Sequence, residues 1–407
     1  MQKIKDDIFY VGVNDRVTSL FEGMWPIPGG ISYNSYVIAD EKVAVVDCVG
    51  EEFFSEYLSN IRQAIGDRPV DYIIVNHMEP DHSGALRLFR QYYPDARIVG
   101  NKKTLQMVDG FYGVASEDDI AVSPCTTLEL GSHVLEFYLT PMVHWPETMM
   151  TYDRLSGCLF SGDAFGCFGA LNGTVIDSEM DVEPFFPEMR RYYSNIVGKY
   201  GIPVQNALRK LAGVKISALC PTHGPVWTEQ RERVIGEYDR LSRYEGRAGL
   251  TIVYGTMYGN TRRMAESIAR GAAEAGLRDI RVMDAMRTPL SNILESVFTY
   301  SGLAIGATTY NTTVHPAVEA VIGAIKLREV KNRCFGAFGS FSWAGKAVKL
   351  ITDFATDMHY DMPAAPIEMK QGFSAEVEQQ CVEMGRLIAG EMSCTAGQSD
   401  KLSYIDI

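Results

Sequence analysis

Residues 76–82 read Asn76-His77-Met78-Glu79-Pro80-Asp81-His82, directly after the apolar run Tyr72-Ile73-Ile74-Val75. Four good metal ligands stand within these few residues, and three of them alternate at positions 77, 79 and 81. In an extended segment, the two-residue period of a strand aims those three the same way. Further candidates each stand where an apolar strand gives way to a loop: His144 in PMVHWPET, Asp163 in FSGDAFG and His223 in CPTHGP. Taken singly, His144 or His223 reads more readily as a hydrogen-bonded core or loop histidine, and Asp163 as the cap of a turn. The cluster shifts that balance. A buried cluster of several carboxylates and several imidazoles repels itself, like group against like, unless a cation neutralises it, so a metal is the simpler reading.

Around these ligands, the first 240 or so residues alternate short apolar strands with polar turns: 43–49, 71–77, 96–100, 133–141, 158–164 and 216–223. Between some of them, EEFFSEYLSNIRQAIG and SGALRLFRQYYP carry apolar residues at spacings of three and four, as helices packed on a sheet require. From Gly249 the texture changes. Near-continuous strands precede amphipathic helices, as in GLTIVYGT before TRRMAESIARGAAEAG and SGLAIGATT before HPAVEAVIGAIK. That is the pattern of a parallel sheet covered on both faces. The polar, glycine-containing stretch 242–249 marks the boundary, giving domains 1–246 and 247–407.

Composition narrows the partners. The 407 residues carry a net charge of −13, with 46% hydrophobic and 22% charged. Two domains and a large core are expected, and a nucleic-acid binder is not, because no block of Lys and Arg could replace phosphate counterions. No apolar run reaches about 18 residues and MQKIKDDIFYVGVND lacks a basic-then-apolar leader, so no membrane association and a cytoplasmic location are expected. Eight cysteines stand singly at 48, 125, 158, 167, 220, 334, 381 and 394, with no C-x-x-C pair, and read as reduced thiols.

The ligand order resembles the metallo-β-lactamase fold, whose zinc hydrolases carry HxHxDH. Here Glu79 replaces the middle histidine, leaving four histidines and three carboxylates, a harder set suited to a redox-active iron pair. The series HxExDH, His, Asp, His resembles that of flavodiiron proteins. Carried over residue by residue, the resemblance gives one iron His77, Glu79 and His144, the other Asp81, His82 and His223, with Asp163 bridging. His82 is the least secure, since its equivalent sometimes turns away.

A second signature, Thr256-Met257-Tyr258-Gly259-Asn260-Thr261, lies between a strand and a helix and resembles the phosphate loop of flavodoxins. Hydroxyls and backbone N–H groups at a helix N-terminus solvate a phosphate without a basic side chain, although a plain polar turn reads similarly. Two later loops support it: Thr309, Tyr310 and Asn311 could meet the polar rim of a flavin. Ser340-Phe341-Ser342-Trp343-Ala344-Gly345 could flank its face, with simple packing as the alternative for Tyr310 and Trp343. No G-x-G-x-x-G with a following acid appears, so nicotinamide binding is not indicated.

Both halves in this order resemble flavodiiron proteins over essentially the whole chain. The resemblance implies an αββα sandwich followed by a flavodoxin-like doubly wound parallel sheet, an α/β and α+β chain, with FMN and two irons as cofactors. It implies reduction of dioxygen, nitric oxide or both, a separate donor (a rubredoxin-like protein or a reduced flavin or deazaflavin carrier), and a head-to-tail homodimer that could pair further. In this family flavin and iron are far apart within one subunit, and the dimer brings Trp343 near the crossing. Two residues beyond the ligands are expected to act in catalysis: Tyr193 as a donor beside the metals, with core packing as its alternative, and Glu22. Relatives carry a tryptophan where Arg16 stands and a histidine where Glu22 follows Phe21, so Glu22 adds negative charge if its loop lines the site. Trp25 is unplaced. The competing readings are a zinc hydrolase with a flavodoxin-like docking tail and an electron carrier with an idle metal domain.

Overall fold

Val43–Val46, a VAVV run with every side chain buried, forms the middle strand of a seven-stranded sheet. The computed structural model describes residues 2–5, 7–124 and 126–399. The chain divides into two compact units, Met1–Asp239 and Arg240–Ile407. This division falls seven residues before the expected one. Tyr244 explains the shift: its ring packs on Phe298 and its carbonyl accepts a hydrogen bond from Arg333, both in the second unit.

In the first unit, Val43–Val46 pairs antiparallel with Tyr36–Ala39 and parallel with Tyr72–Ile74, which in turn pairs parallel with Arg97–Asn101. The expected strands farther along form a separate five-stranded sheet containing Val134–Leu139, Met149–Asp153, Cys158–Gly162 and Ala218–Pro221. The two sheets face each other: the Tyr36 ring lies 5.2 Å from that of Phe160, and its hydroxyl donates to the Pro221 carbonyl. The helix Phe54–Ile65 covers the first sheet with Tyr57, Ile61 and Ile65, four apart and buried. Tyr72–Ile74, Val134–Leu139, Cys158–Gly162 and Ala218–Pro221 are shorter than the apolar runs because their last residues peel away as the loops that carry the candidate ligands.

The second unit is a sheet of parallel strands ordered Ile280–Asp284, Arg247–Gly255, Tyr300–Tyr310, Cys334–Phe341, Ile367–Lys370. Chain order reverses beside Arg247–Gly255, so the loops after it, after Tyr310 and after Phe341 gather at one end of the sheet. The helices Asn260–Glu274 and Ala375–Ser399 pack so closely that a Cβ at Gly271 would stand 1.9 Å from the Val382 carbonyl oxygen.

Cys125 lies outside the described residues, and Cys394 outside those whose side chains are described. The other six cysteines are free thiols, five buried and Cys334 partly so. Among the described residues no helix is long and apolar enough to cross a membrane.

Candidate metal centre and phosphate loop

The strand Tyr72–Ile74 delivers its following loop into the seam between the two sheets. Asn76 pins it there: its N–H and Nδ2 donate to both oxygens of Asp47, its Oδ1 accepts from Thr151, and its carbonyl accepts from Met149 N. The run is not extended throughout, which corrects the alternation argument. Glu79 keeps a strand-like backbone, but Pro80–Ser83 is a helical turn begun by the proline. His77 and Glu79 therefore face one way, and Asp81 and His82 are carried round to another.

The seven candidates form two groups, His77, Glu79, His144 with Asp163, and Asp81, His82 with His223, whose ligand atoms lie within 4.8 Å of one another in each group. Asp163 stands between them and divides its oxygens. Its Oδ2 is 2.9 Å from His144 Nε2 and 3.5 Å from His77 Nε2, while its Oδ1 is 3.0 Å from His82 Nε2 and 3.8 Å from His223 Nε2. Glu79 Oε2 approaches His77 and His144 at 3.2 and 3.1 Å. Asp81 Oδ2 approaches His82 and His223 at 3.2 and 3.3 Å.

These residues fit a metal pair better than a hydrogen-bonded cluster. Neither buried oxygen of Asp81 has a hydrogen-bond partner, although both imidazoles are near. His82 Nε2 faces His223 Nε2 at 3.0 Å, an approach of two nitrogens that a shared cation resolves without a proton. With imidazole and carboxylate donors and no thiolate, the set suits iron.

Sequence reasoning missed the groups that orient these ligands. His77 Nδ1 lies 2.8 Å from Glu147 Oε1, which also accepts from Met78 N at 2.9 Å. His223 Nδ1 donates to the Ser32 carbonyl at 2.8 Å, and Thr222 donates to Asp163 Oδ1 at 2.6 Å. An Nδ1–H donated outward leaves Nε2 as the metal-facing lone pair. His82 has no such anchor, since its buried Nδ1 has no partner. Only Glu147 left a trace in the sequence, three residues after His144. Glu147→Gln is expected to lower metal affinity by about 10–100-fold with the fold intact, measured by chelator competition beside circular dichroism.

Electrostatics point the same way. Burial alone lowers the pKa of His144, but Asp163 and Glu79 outweigh it and push the imidazole up to about 9 from 6.5. Burial, with Glu79 and Asp163, pushes Asp81 up to about 7 from 3.8 against the opposing pull of His82. Asp163 itself moves down, because the imidazoles of His82 and His77 outweigh its burial. Groups with raised values bind protons more tightly folded than unfolded, so their stabilisation is present at lower pH and lost as pH climbs through 7 and then 9. The lowered Asp163 contributes constantly over that window. The metal-free protein is therefore expected to lose thermal stability between pH 6 and 9, and the metal-loaded protein to lose much less, as a melting series with and without metal would show.

Aromatic rings wall the centre. Phe21 stands edge-on to His223 at 5.5 Å, Tyr192 lies 5.4 Å from the same ring, and Trp145 lies 5.2 Å from His77. Tyr192, not Tyr193, is the tyrosine beside the candidate ligands: burial and then Asp163, Glu79 and Asp81 raise its hydroxyl pKa, and that hydroxyl is buried without a partner. One residue turns a helix by about 100°, so Tyr193 points away and packs on Tyr238 at 5.0 Å. Glu22 does reach the centre. It sits at the tip of the hairpin Leu20–Phe21/Trp25–Pro26, accepts from Trp25 Nε1 at 2.9 Å and lies against the Glu79 carboxyl. Arg16 turns elsewhere, donating to the Leu171 carbonyl and Asn172.

In the second unit, Gly259 adopts φ +90° at the cap of Asn260–Glu274, and its N–H donates to Thr256 Oγ1 at 3.0 Å. Buried Thr261 shares a hydrogen bond with Ser340 at 3.0 Å, tying the first loop to the third. Thr256, Met257, Tyr258, Asn260, Ser340, Phe341 and Ser342 line one cleft, together with Thr308 and Gln371, which were not anticipated. Gln371 comes from the loop after the edge strand, and its carbonyl accepts from Asn260. Thr309 Oγ1 accepts from Lys346 N and Ala347 N, both at 3.1 Å, so it braces the helix after the third loop. Asn311 takes φ 46°, Tyr310 packs beside His315, and Ala344 and Gly345 complete the third loop, with Gly345 close against Glu368. Tyr258 and Trp343 are 90% and 89% exposed, bare aromatic faces on either side of these loops.

Comparison with known proteins agrees with both halves. The family described as ODP family beta lactamase matches residues 31–224, and the flavodoxin family matches residues 252–382. The anaerobic nitric oxide reductase flavorubredoxin of Escherichia coli O1:K1 / APEC is 31% identical over 391 residues, spanning 95% of this chain and 81% of its own. Among solved structures, rubredoxin oxygen:oxidoreductase from Desulfovibrio gigas superposes with a TM-score of 0.92 at 28% identity, covering 97% of this chain and 99% of that one. The flavodiiron protein of Giardia intestinalis gives 0.93 at 27% identity, covering 98% of each chain.

Proposed function

Because this chain belongs to the flavodiiron proteins, we propose that His77, Glu79 and His144 hold one iron, Asp81, His82 and His223 the other, and Asp163 joins them. FMN takes the loops Thr256–Thr261, 309–311 and 340–345. The protein is an oxidoreductase that reduces dioxygen, nitric oxide or both. The division of Asp163's two oxygens between the two ligand groups carries the assignment, since a carboxylate so placed suits two metals and is superfluous for one.

When bound, FMN supplies stored electrons and the irons supply redox and Lewis-acid chemistry to the gas. The rest falls to side chains. Glu147 and the Ser32 carbonyl hold two imidazoles in the tautomer that presents Nε2 inward. Phe21, Phe168 and Tyr192 exclude water from one side. Tyr192 holds a hydroxyl proton in the pocket, available to an oxygen that gains charge there. His82 lacks the outer anchor that His77 and His223 have.

The wider reading includes a separate donor, rubredoxin-like or a reduced flavin or deazaflavin carrier, a cytoplasmic location, and a head-to-tail homodimer in which one subunit's flavin serves the other's irons. The free described cysteines suit a reducing compartment. A zinc hydrolase is disfavoured, because Glu79 stands where such enzymes carry histidine. Metal and flavin analysis, followed by stopped-flow exposure of the reduced protein to nitric oxide and to dioxygen in turn, tests the whole. Zinc with ester or lactam turnover would overturn it, and so would reducible flavin that consumes neither gas.

A further inference from the structure

The feature that the ligand set does not absorb is Glu22. Its hairpin covers the metal centre, with Phe21 against His223 and Glu22 over the other group, where the carboxyl meets that of Glu79 and lies near His144. The placement is built. Phe21 pairs with Trp25 across the hairpin, Met24 N donates to the Phe21 carbonyl, and the Trp25 indole N–H holds the Glu22 carboxyl at 2.9 Å. Glu22 also takes φ 50°, a left-handed conformation that glycine or asparagine would adopt more cheaply. Arg16 does not compensate it, since its guanidinium donates to residues 171 and 172 instead.

We propose that Glu22 is a specificity-determining residue that sets the charge of the oxidant pocket and so turns away small anions while admitting neutral diatomic gases. This rests on the iron-centre reading above. The ligand set has three carboxylates, Glu79, Asp81 and Asp163, with four imidazoles that bind metals as neutral donors. Two divalent ions therefore leave the bare ligand set cationic, an attractive site for any small anion. Burial and the Glu79 carboxyl favour the neutral form of Glu22, while cations bound to the ligand set would favour its ionised form; ionised, a fourth carboxylate beside Glu79 brings the reduced centre to neutrality and lowers the positive charge of the oxidised one. A neutral gas is indifferent to that change. An anion meets it at the distance of one side chain, where charges interact by several RT even at an effective dielectric of about 20.

The test is an azide titration of the oxidised, iron- and FMN-loaded protein, read from the azide-to-iron charge-transfer band, for wild type, Glu22→Gln and Trp25→Phe. Glutamine keeps the size of Glu22 and an oxygen for the indole. Glu22→Gln is expected to bind azide at least about tenfold more tightly, whereas binding of nitric oxide to the reduced form, followed by electron paramagnetic resonance, stays within about threefold of wild type on the same electrostatic argument. Trp25→Phe frees the carboxyl from the indole but keeps the charge, and gains clearly less azide affinity than Glu22→Gln. Equal azide affinity in wild type and Glu22→Gln overturns the proposal. So does a gain in Trp25→Phe equal to that in Glu22→Gln, which would make the effect one of loop packing. Iron content measured first separates the two readings, since a protein that takes no iron fails at the earlier step and takes this inference with it.

Discussion

Asp163→Asn is expected to strip the centre of iron and to lower gas reduction by more than about a hundredfold, beyond the ~10–100-fold that loss of an outer-shell partner causes. Asparagine keeps the shape, and its oxygen can still accept from Thr222. What it loses is the ability to serve both groups at once. Either the oxygen faces His82 and His223 or it faces His144 and His77, and the other group meets an N–H₂ that cannot ligate. FMN content should be unchanged, because the flavin loops belong to the other unit. Iron and flavin are counted per chain beside the gas-consumption rate. A variant that keeps two irons and a tenth of the activity would remove Asp163 from the bridging role.

Mixing that variant with one unable to hold flavin is expected to restore activity that neither has alone. Gly259→Val is the natural partner: at φ +90° a β-branched residue is excluded from the conformation that turns the loop's N–H groups inward, so FMN affinity should fall steeply. If flavin and iron meet across a two-fold interface, random reassortment gives heterodimers in half the population, each with one intact crossing, and about a quarter of wild-type activity returns. The readout is gas consumption after subunit exchange under mild denaturant. No recovery, with heterodimers demonstrated by mass, would place the electron path within a single subunit.

Much of this architecture was legible in the chain because its signals are local. Fully buried strands such as VAVV and YII announce themselves as apolar runs, and the phosphate loop sits in a fixed strand-to-helix context. The candidate ligands could be picked out because few other pressures place histidine and carboxylate at successive strand ends, and the structure gathers them into two groups. Geometry inside the loops was not. The alternation at 77, 79 and 81 suggested one shared face, yet Pro80 begins a helical turn that divides those residues between two groups. Tyr192 and Tyr193 are indistinguishable as letters, and only the helix phase entering the wide turn at Tyr193–Val197 selects the first. The Ser32 carbonyl left no trace at all, since any residue supplies one. Gln371 acts across more than a hundred residues that no local pattern encodes, and Glu147 showed only as a carboxylate near His144, with nothing to say that it holds His77.

The ligands come from both sheets of the first unit: His77, Glu79, Asp81 and His82 from the end of a strand in the seven-stranded sheet, His144, Asp163 and His223 from the five-stranded one. Ions held by these residues would be rivets through a laminate as well as reagents. Pulling them out should let the two leaves part at that rim while their far edges stay joined. Amides around 76–82 and 163–166 would then exchange with deuterium sooner than those of Val43–Val46, making solvent uptake along the seam a gauge of metal occupancy.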